Sequence, residues 1–349
     1  MQGLEFFYDN FHPANDTLPR KFDLPDNKRV LIWGPKYCGK RSLTERAAKE
    51  RFDTKAVLFV DCEDFRFDHN QLSHLNSFIE QKKIELLILY GDCMEFEAEC
   101  EYIWRVSHRF LNMEGFTSFK VSNLDFEEYL LFAKRSEPKI AFNSFLKSGN
   151  IPEMARVPEI KRDRRAKEII KLTFGTDIPI IKEITLHQGQ SRSVHFIFTR
   201  LKERIKISKD RFYGIFEDLC RSEYIYAVEK FNSKRSPKKL FFYDFLLKTY
   251  LHVNREFPKI FENMVFLEIK EPLFYLEPLG FYLPKSEKIL MAVPFGNEVR
   301  IENKIEQVLK KSGLKPKKIE VVTVATSFKY DKNGIECEVI PFYEWALGK

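Results

Sequence analysis

Val30-Leu31-Ile32-Trp33-Gly34-Pro35-Lys36-Tyr37-Cys38-Gly39-Lys40-Arg41-Ser42 is the stretch whose reading decides the fold. An apolar run of this kind reads as a buried strand. The spacing Gly-x-x-x-x-Gly-Lys follows at once, and Ser42 to Arg51 reads as a helix, so strand, glycine loop and helix succeed one another as in a phosphate-binding P-loop. Glycines let the backbone turn tightly and aim its N–H groups at phosphate oxygens, the helix N-terminus adds positive potential, and Lys40 supplies a mobile cation for the outer phosphates. Gly34, Pro35, Lys36, Tyr37, Cys38, Gly39, Lys40, Arg41 and Ser42 are therefore read as nucleotide-binding, with ATP as the ligand. One position departs from the pattern. The residue after the lysine is ordinarily Ser or Thr, whose hydroxyl holds Mg²⁺, and here it is Arg41. Binding is expected, hydrolysis is expected to be weak or absent, and the presence of Mg²⁺ stays open. Ser42 offers a hydroxyl only if the register slips by one residue.

The chain has 349 residues, 44% of them hydrophobic, which is enough to bury more than one core and to divide into two or three domains. No apolar run reaches the roughly 18 residues of a membrane span. The start Met1-Gln2-Gly3-Leu4-Glu5 lacks the basic and apolar regions of a signal peptide, so a cytoplasmic protein without membrane partners is expected. The six cysteines show no Cys-x-x-Cys pair and no nearby His, so they read as reduced and no metal site is expected. The formal charge of +7 is modest, but the cations cluster at Lys161 to Lys167, Lys202 to Arg211 and Lys234 to Lys239. Clustering admits a polyanionic partner, and a solvated surface is the alternative.

After the P-loop helix, Ala56 to Asp61 and Ile84 to Tyr90 read as buried strands with a helix between them. Strands alternating with helices imply a parallel sheet. The second of these strands stands where an ATPase places its Walker B acids, but it ends in Tyr90-Gly91. Asp92 comes next and is the one candidate for a catalytic acid; the alternative, a turn-capping role, is preferred. Tyr102 to Ser107 reads as a further strand reached without a full helix, and Asp125 reads as the cap of a helix beginning at Phe126. The histidines, His108, His187 and His195 among them, have no catalytic or ligand-spaced company in the sequence and read as surface or core residues.

The order of the P-loop, Phe59-Val60-Asp61-Cys62-Glu63-Asp64, the apolar strand to Tyr90, the strand to Ser107 and Asn123 to Leu130 resembles prokaryotic AAA-superfamily ATPases that carry a C-terminal restriction-endonuclease-like domain. Ser148-Gly149-Asn150-Ile151-Pro152-Glu153, Leu240 to Asp244, Phe261-Glu262-Asn263-Met264-Val265 and Val339 to Trp345 extend the resemblance over nearly the whole chain. It implies an α/β fold: an AAA-type nucleotide-binding domain at 1–135, a helical lid and winged-helix module at 136–250, and a degenerate endonuclease-like domain at 251–349. In that last domain the family's Asp, Glu and Lys are replaced by Gly280, Ala292 and Pro294, so no nuclease activity is expected. Glu262 and Glu268 remain on the preceding helix and read as structural.

Independently of the resemblance, Val194 to Ile207, a second helix at 209–221 capped by Ser208, and a hairpin of Tyr224 to Val228 with Leu240 to Tyr243 follow a winged-helix pattern. Lys209, Arg211, Lys234, Arg235, Lys238 and Lys239 are its candidate nucleic-acid contacts, and a lid whose charges merely meet solvent is the alternative. The functional expectation is an ATP-binding protein whose nucleotide state is coupled to the winged-helix and pseudo-nuclease modules; the alternative is a non-enzymatic DNA-binding or assembly protein with a vestigial P-loop.

Overall fold

The computed structural model describes residues 2–13, 18–91 and 97–348. Two compact units emerge, Met1–Asn123 and Leu124–Lys349. In the first, α1 (Gln2–Asp9) precedes β1 (Arg29–Trp33), α2 (Lys40–Arg51), β2 (Val57–Asp61), α3 (Leu75–Lys82), β3 (Leu86–Tyr90), β4 (Tyr102–Ser107) and β5 (Thr117–Lys120). The strands form one sheet in the order β2-β3-β4-β1-β5, every neighbouring pair parallel. Because successive strand residues face opposite ways, Val30, Ile32, Phe59, Ile88 and Trp104 join Leu43 and Ala47 of α2 in one core. Leu58, Val60, Leu87 and Leu89 join Leu4 and Phe7 of α1 and Phe78 and Ile79 of α3 in the other. Burial on both faces is why these strands read as unbroken apolar runs. The first unit thus has a five-stranded parallel α/β core, with the glycine loop at the C-terminal end of β1.

The second unit begins with α4 (Phe126–Phe132), α5 (Pro138–Ser148), α6 (Glu159–Phe174), α7 (Ile178–Thr185), α8 (Val194–Lys202) and α9 (Lys209–Arg221). The hairpin β6 (Ile225–Val228) and β7 (Lys239–Phe242), then α10 (Leu247–Leu251) and α11 (Phe257–Glu268), follow. The chain closes with β8 (Phe274–Tyr275), β9 (Phe281–Leu283), β10 (Lys288–Ala292), α12 (Glu298–Ser312), β11 (Lys318–Thr323), β12 (Phe328–Lys332), β13 (Ile335–Pro341) and α13 (Phe342–Trp345). Its sheet runs β12-β13-β11-β10-β9-β8, with β10, β11 and β13 parallel and the outer strands antiparallel. Ile289, Met291, Ile319, Val321 and Val339 pack under Ile301, Ile305 and Val308 of α12, while the alternate residues Leu290, Ala292 and Val322 face Phe261, Met264 and Val265 of α11.

The two compact units divide at 123/124, and α4 belongs to an aromatic core built from the far end of the chain. Phe126 and Tyr129 pack with Phe142, Phe145, Phe241, Phe261 and Phe342. Asp125 caps α4 as expected, accepting from the Glu128 amide at 3.0 Å. Glu268 accepts from the Phe126 amide at 2.8 Å. Asn263 clamps α11 to β7 through both halves of its amide, exchanging 2.8 Å hydrogen bonds with the Phe242 N–H and C=O.

Among the candidate nucleic-acid contacts, Lys239 lies inside the fold. It opens β7, is buried, and meets Glu262 of α11 at 2.5 Å, so its charge is spent inside the fold. Lys238 pairs with Glu229 at 3.2 Å, Arg211 pairs with Asp177 at 3.2 Å, and Lys209 lies over the Tyr213 ring. Lys234 and Arg235 are exposed in the loop between β6 and β7. That loop is anchored to the following sheet: Phe231 packs on Tyr282 at 4.8 Å, Lys230 meets Glu277 at 2.6 Å, and the Tyr275 hydroxyl donates to the Pro237 carbonyl. The helix expected over 194–207 stops at Lys202, where Arg204 turns back to Glu183 at 2.8 Å.

The Lys239–Glu262 pair gives a measurable expectation. Removing one partner of a buried pair strands the other charge, so Glu262→Ala should lower the unfolding free energy by about 3–5 kcal/mol, whereas exchanging both for apolar residues of similar volume should cost much less. Chemical denaturation of the three variants checks this; a loss below about 1 kcal/mol in Glu262→Ala would show that water reaches the pair.

Candidate functional site

The glycine loop is shaped by close approach. Gly34 has φ 151°, and a Cβ there would stand 2.0 Å from the Val121 carbonyl oxygen, so no side chain fits. Tyr37 adopts φ 65° and Gly39 φ 91°, left-handed turns that bring the chain round to the start of α2. Tyr37 holds this conformation at a cost that glycine would avoid.

Lys40 is buried, and its ammonium donates to the carbonyls of Gly34 at 2.7 Å and Pro35 at 2.6 Å, with Cys38 Sγ at 3.7 Å. Burial lowers its affinity for the proton, and Cys38 acts in the opposite sense. Arg20 braces the outside of the loop. Its guanidinium, also buried, donates to the Cys38 carbonyl at 2.9 Å and the Ser122 carbonyl at 3.0 Å.

Arg41 points from the first turn of α2 across the ends of β2 and β3. It pairs with Glu45 at 2.8 Å and Asp61 at 2.9 Å and lies over the rings of Phe59 and Tyr90. Burial pushes the Asp61 carboxyl up from its ordinary value, while Arg41 and the Glu63 amide pull it down. A Mg²⁺ ion needs a hydroxyl and carboxylates at this corner. The hydroxyl is replaced by a guanidinium, and that guanidinium already holds the carboxylate of Asp61, so these residues do not fit the metal. Ser42 is exposed on α2, and with Lys40 seated in the loop the register has not slipped. Among the described residues no group of three or more His, Cys, Asp or Glu is arranged to hold a metal ion.

A second cluster lies at the same edge of the sheet. Glu63, just beyond β2, meets Lys36 of the loop at 2.9 Å and His108, just beyond β4, at 3.2 Å. His108 packs edge-on against Tyr90 with ring centroids 5.5 Å apart. His108, aided by Lys36, holds the Glu63 carboxyl well below the usual carboxylate range against the effect of burial. Burial holds the imidazole below its ordinary value, against the pull of Glu63.

The structure therefore brings together Gly34, Pro35, Lys36, Tyr37, Cys38, Gly39, Lys40 and Arg41, and adds Arg20, Asp61, Glu63 and His108, which the sequence reading had not placed in the site. Asp61 and Glu63 carried a signal, an acidic run directly after an apolar strand. His108 carried a positional one, its place after the strand ending in Ser107. Asp92 lies outside the described residues. Cys62 is disulfide-bonded, a correction to the reduced state read from cysteine spacing, whereas Cys38, Cys100, Cys220 and Cys337 are free.

No protein-family model matches the chain. An uncharacterized protein of Methanocaldococcus jannaschii is 24% identical over 401 residues, covering 92% of this chain and 88% of that protein. Among solved structures, the Walker-type ATPase of Pyrococcus abyssi is similar with a TM-score of 0.40 and 13% identity, over 72% of this chain and 93% of that one. Among the described residues no helix is long and apolar enough to cross a membrane.

The two arginines should respond differently to truncation. Arg20→Ala leaves two loop and strand-end carbonyls without their buried donor and should destabilise the protein by roughly 1–3 kcal/mol. Arg41→Ala removes a half-exposed pair and should change stability by less than about 1 kcal/mol. Thermal unfolding of both variants reads the contrast, and equal losses would contradict it.

Proposed function

We propose that this protein binds ATP through the loop Gly34 to Lys40, with little or no hydrolysis. One observation carries the reading: Lys40 is buried with its amine nitrogen directed at the carbonyls of its own loop, an arrangement that phosphate oxygens would improve by bringing a negative charge to it. The backbone N–H groups at the start of α2 and the Lys40 ammonium would hold the phosphates, with Lys36 as a second cation at the rim. Weak hydrolysis is supported by the corner where Arg41 holds Asp61, because a fixed guanidinium neutralises charge but does not generate or align a metal-bound water.

The finer reading belongs to the same proposal: nucleotide state coupled to the helical, winged-helix-like module and to a C-terminal domain that retains an endonuclease-like sheet without its chemistry. Gly280 supports the second part. Its backbone is left-handed, at φ 101°, and a Cβ would stand 2.8 Å from the Leu290 carbonyl oxygen, so an Asp does not fit there without moving the strand.

Isothermal calorimetry with ATP, with Mg²⁺ and with EDTA, tests the proposal on the wild type and Lys40→Met. Wild type should bind under both conditions, since the site offers Arg41 where the ion would sit. Lys40→Met should lose at least about tenfold in affinity, roughly 1.4 kcal/mol, while its thermal midpoint stays equal or rises, because an apolar chain of similar length replaces a buried charge. No binding to wild type at millimolar ATP, or unchanged affinity in Lys40→Met, would establish the alternative, a vestigial loop in a non-enzymatic protein. Strong Mg²⁺-dependent turnover lost in Asp92→Ala would overturn the hydrolysis reading.

A further inference from the structure

Gly91 follows β3 at the point from which a Walker B acid would project, and it has φ 93°. A Cβ there would stand 2.7 Å from Glu63 Cγ. The side chain of Glu63, entering from the end of β2, thus fills the space beside Gly91 that a side chain there would take. It stands between two basic groups, with Lys36 Nζ at 2.9 Å and His108 Nε2 at 3.2 Å. His108 is only 7% exposed, and neither ring nitrogen makes a hydrogen bond of good geometry. A buried imidazole whose contact with a carboxylate is poorly aligned is costly, and protonation beside that carboxylate relieves the cost.

We propose that Lys36, Glu63 and His108 form a proton-linked recognition element for the terminal phosphate of a nucleoside triphosphate: Lys36 leaves Glu63 for the phosphate, and His108 takes one proton from solution and replaces Lys36 as the partner of Glu63. This rests on the nucleotide reading of the loop and says how that site senses its ligand. The groups that face His108 make the coupling physical. Lys36 from the loop and Lys40 from α2 oppose its protonation, Glu63 favours it, and the Tyr90 ring packs edge-on against it. A phosphate drawn onto both lysines cancels their opposition and leaves Glu63 without a cation of its own. The imidazolium that forms is a further positive charge beside the phosphate.

The sign follows from linkage. His108 binds its proton more tightly in the complex than in the free protein, so affinity for the triphosphate rises as pH falls between the two values, by at most about tenfold per pH unit for one proton. ADP, which lacks the terminal phosphate, leaves Lys36 on Glu63 and draws no such proton.

Calorimetry of the full chain with ATP and with ADP, between about pH 6 and pH 8 where imidazoles titrate, in buffers of different protonation enthalpy, counts the protons. Wild type should take up more protons with ATP than His108→Gln or Glu63→Gln does, and the difference should vanish with ADP. Titration of ATP itself is common to all the proteins and cancels in the comparison. Equal uptake in wild type and His108→Gln overturns the inference and leaves the nucleotide reading standing, whereas absence of ATP binding to wild type removes both. Should the His108 variant fail to fold, Lys36→Met decides: with Glu63 already free for His108, ATP should draw fewer protons than in wild type, and uptake equal to wild type refutes the coupling.

Discussion

An ammonium ion removed from water has to be surrounded by oxygen, and the oxygens around Lys40 are the carbonyls of Gly34 and Pro35, in the loop that leads to it. This constraint fixes the loop. The chain has to curl back on itself to place those carbonyls over the first residue of α2, so Gly34, Tyr37 and Gly39 take backbone angles that most residues avoid. Arg20 then takes the outward Cys38 carbonyl and ties it to Ser122 beyond β5. A parallel sheet is the scaffold that permits this, since it delivers the ends of β1 to β4 to one edge.

Charge at the neighbouring corner is settled differently. Where a nucleotide-hydrolysing loop recruits a divalent ion, Arg41 supplies a fixed single charge, held by Glu45 and Asp61 and laid on the faces of Phe59 and Tyr90. A guanidinium is planar, always protonated and weakly hydrated, which suits it to a permanent pair beside aromatic rings. It has no exchangeable water to activate.

The parts legible in the sequence are those fixed by local chemistry. The apolar runs of β1 to β3 mark strands because both faces are buried, and Ser208 and Asp125 mark helix starts because a capping oxygen needs only the next turn. What escaped depends on distant partners. Among similar-looking histidines, burial at the end of β4 singles out His108, and only the strand order places it beside Glu63. Lys239 looks like one more cation in a basic loop until pairing of β7 with β6 points its ammonium at α11. The end of α8 at Lys202 is likewise set by a tertiary contact, the reach of Arg204 to Glu183.

Acids in the second unit have been drawn into structure. Glu262 neutralises Lys239, Glu268 caps α4, and Glu320 sits between Lys288 at 2.9 Å and the Trp345 indole N–H at 3.2 Å. A carboxylate held by a lysine inside a packed core has its lone pairs committed and is a poor ligand for an incoming cation. Gly280 carries the point further. Its left-handed backbone and the Leu290 carbonyl together occupy the space that a side chain would take. An acid placed at position 280 would therefore strain the β9–β10 pairing, because its Cβ would press on the Leu290 carbonyl while its backbone held a left-handed turn.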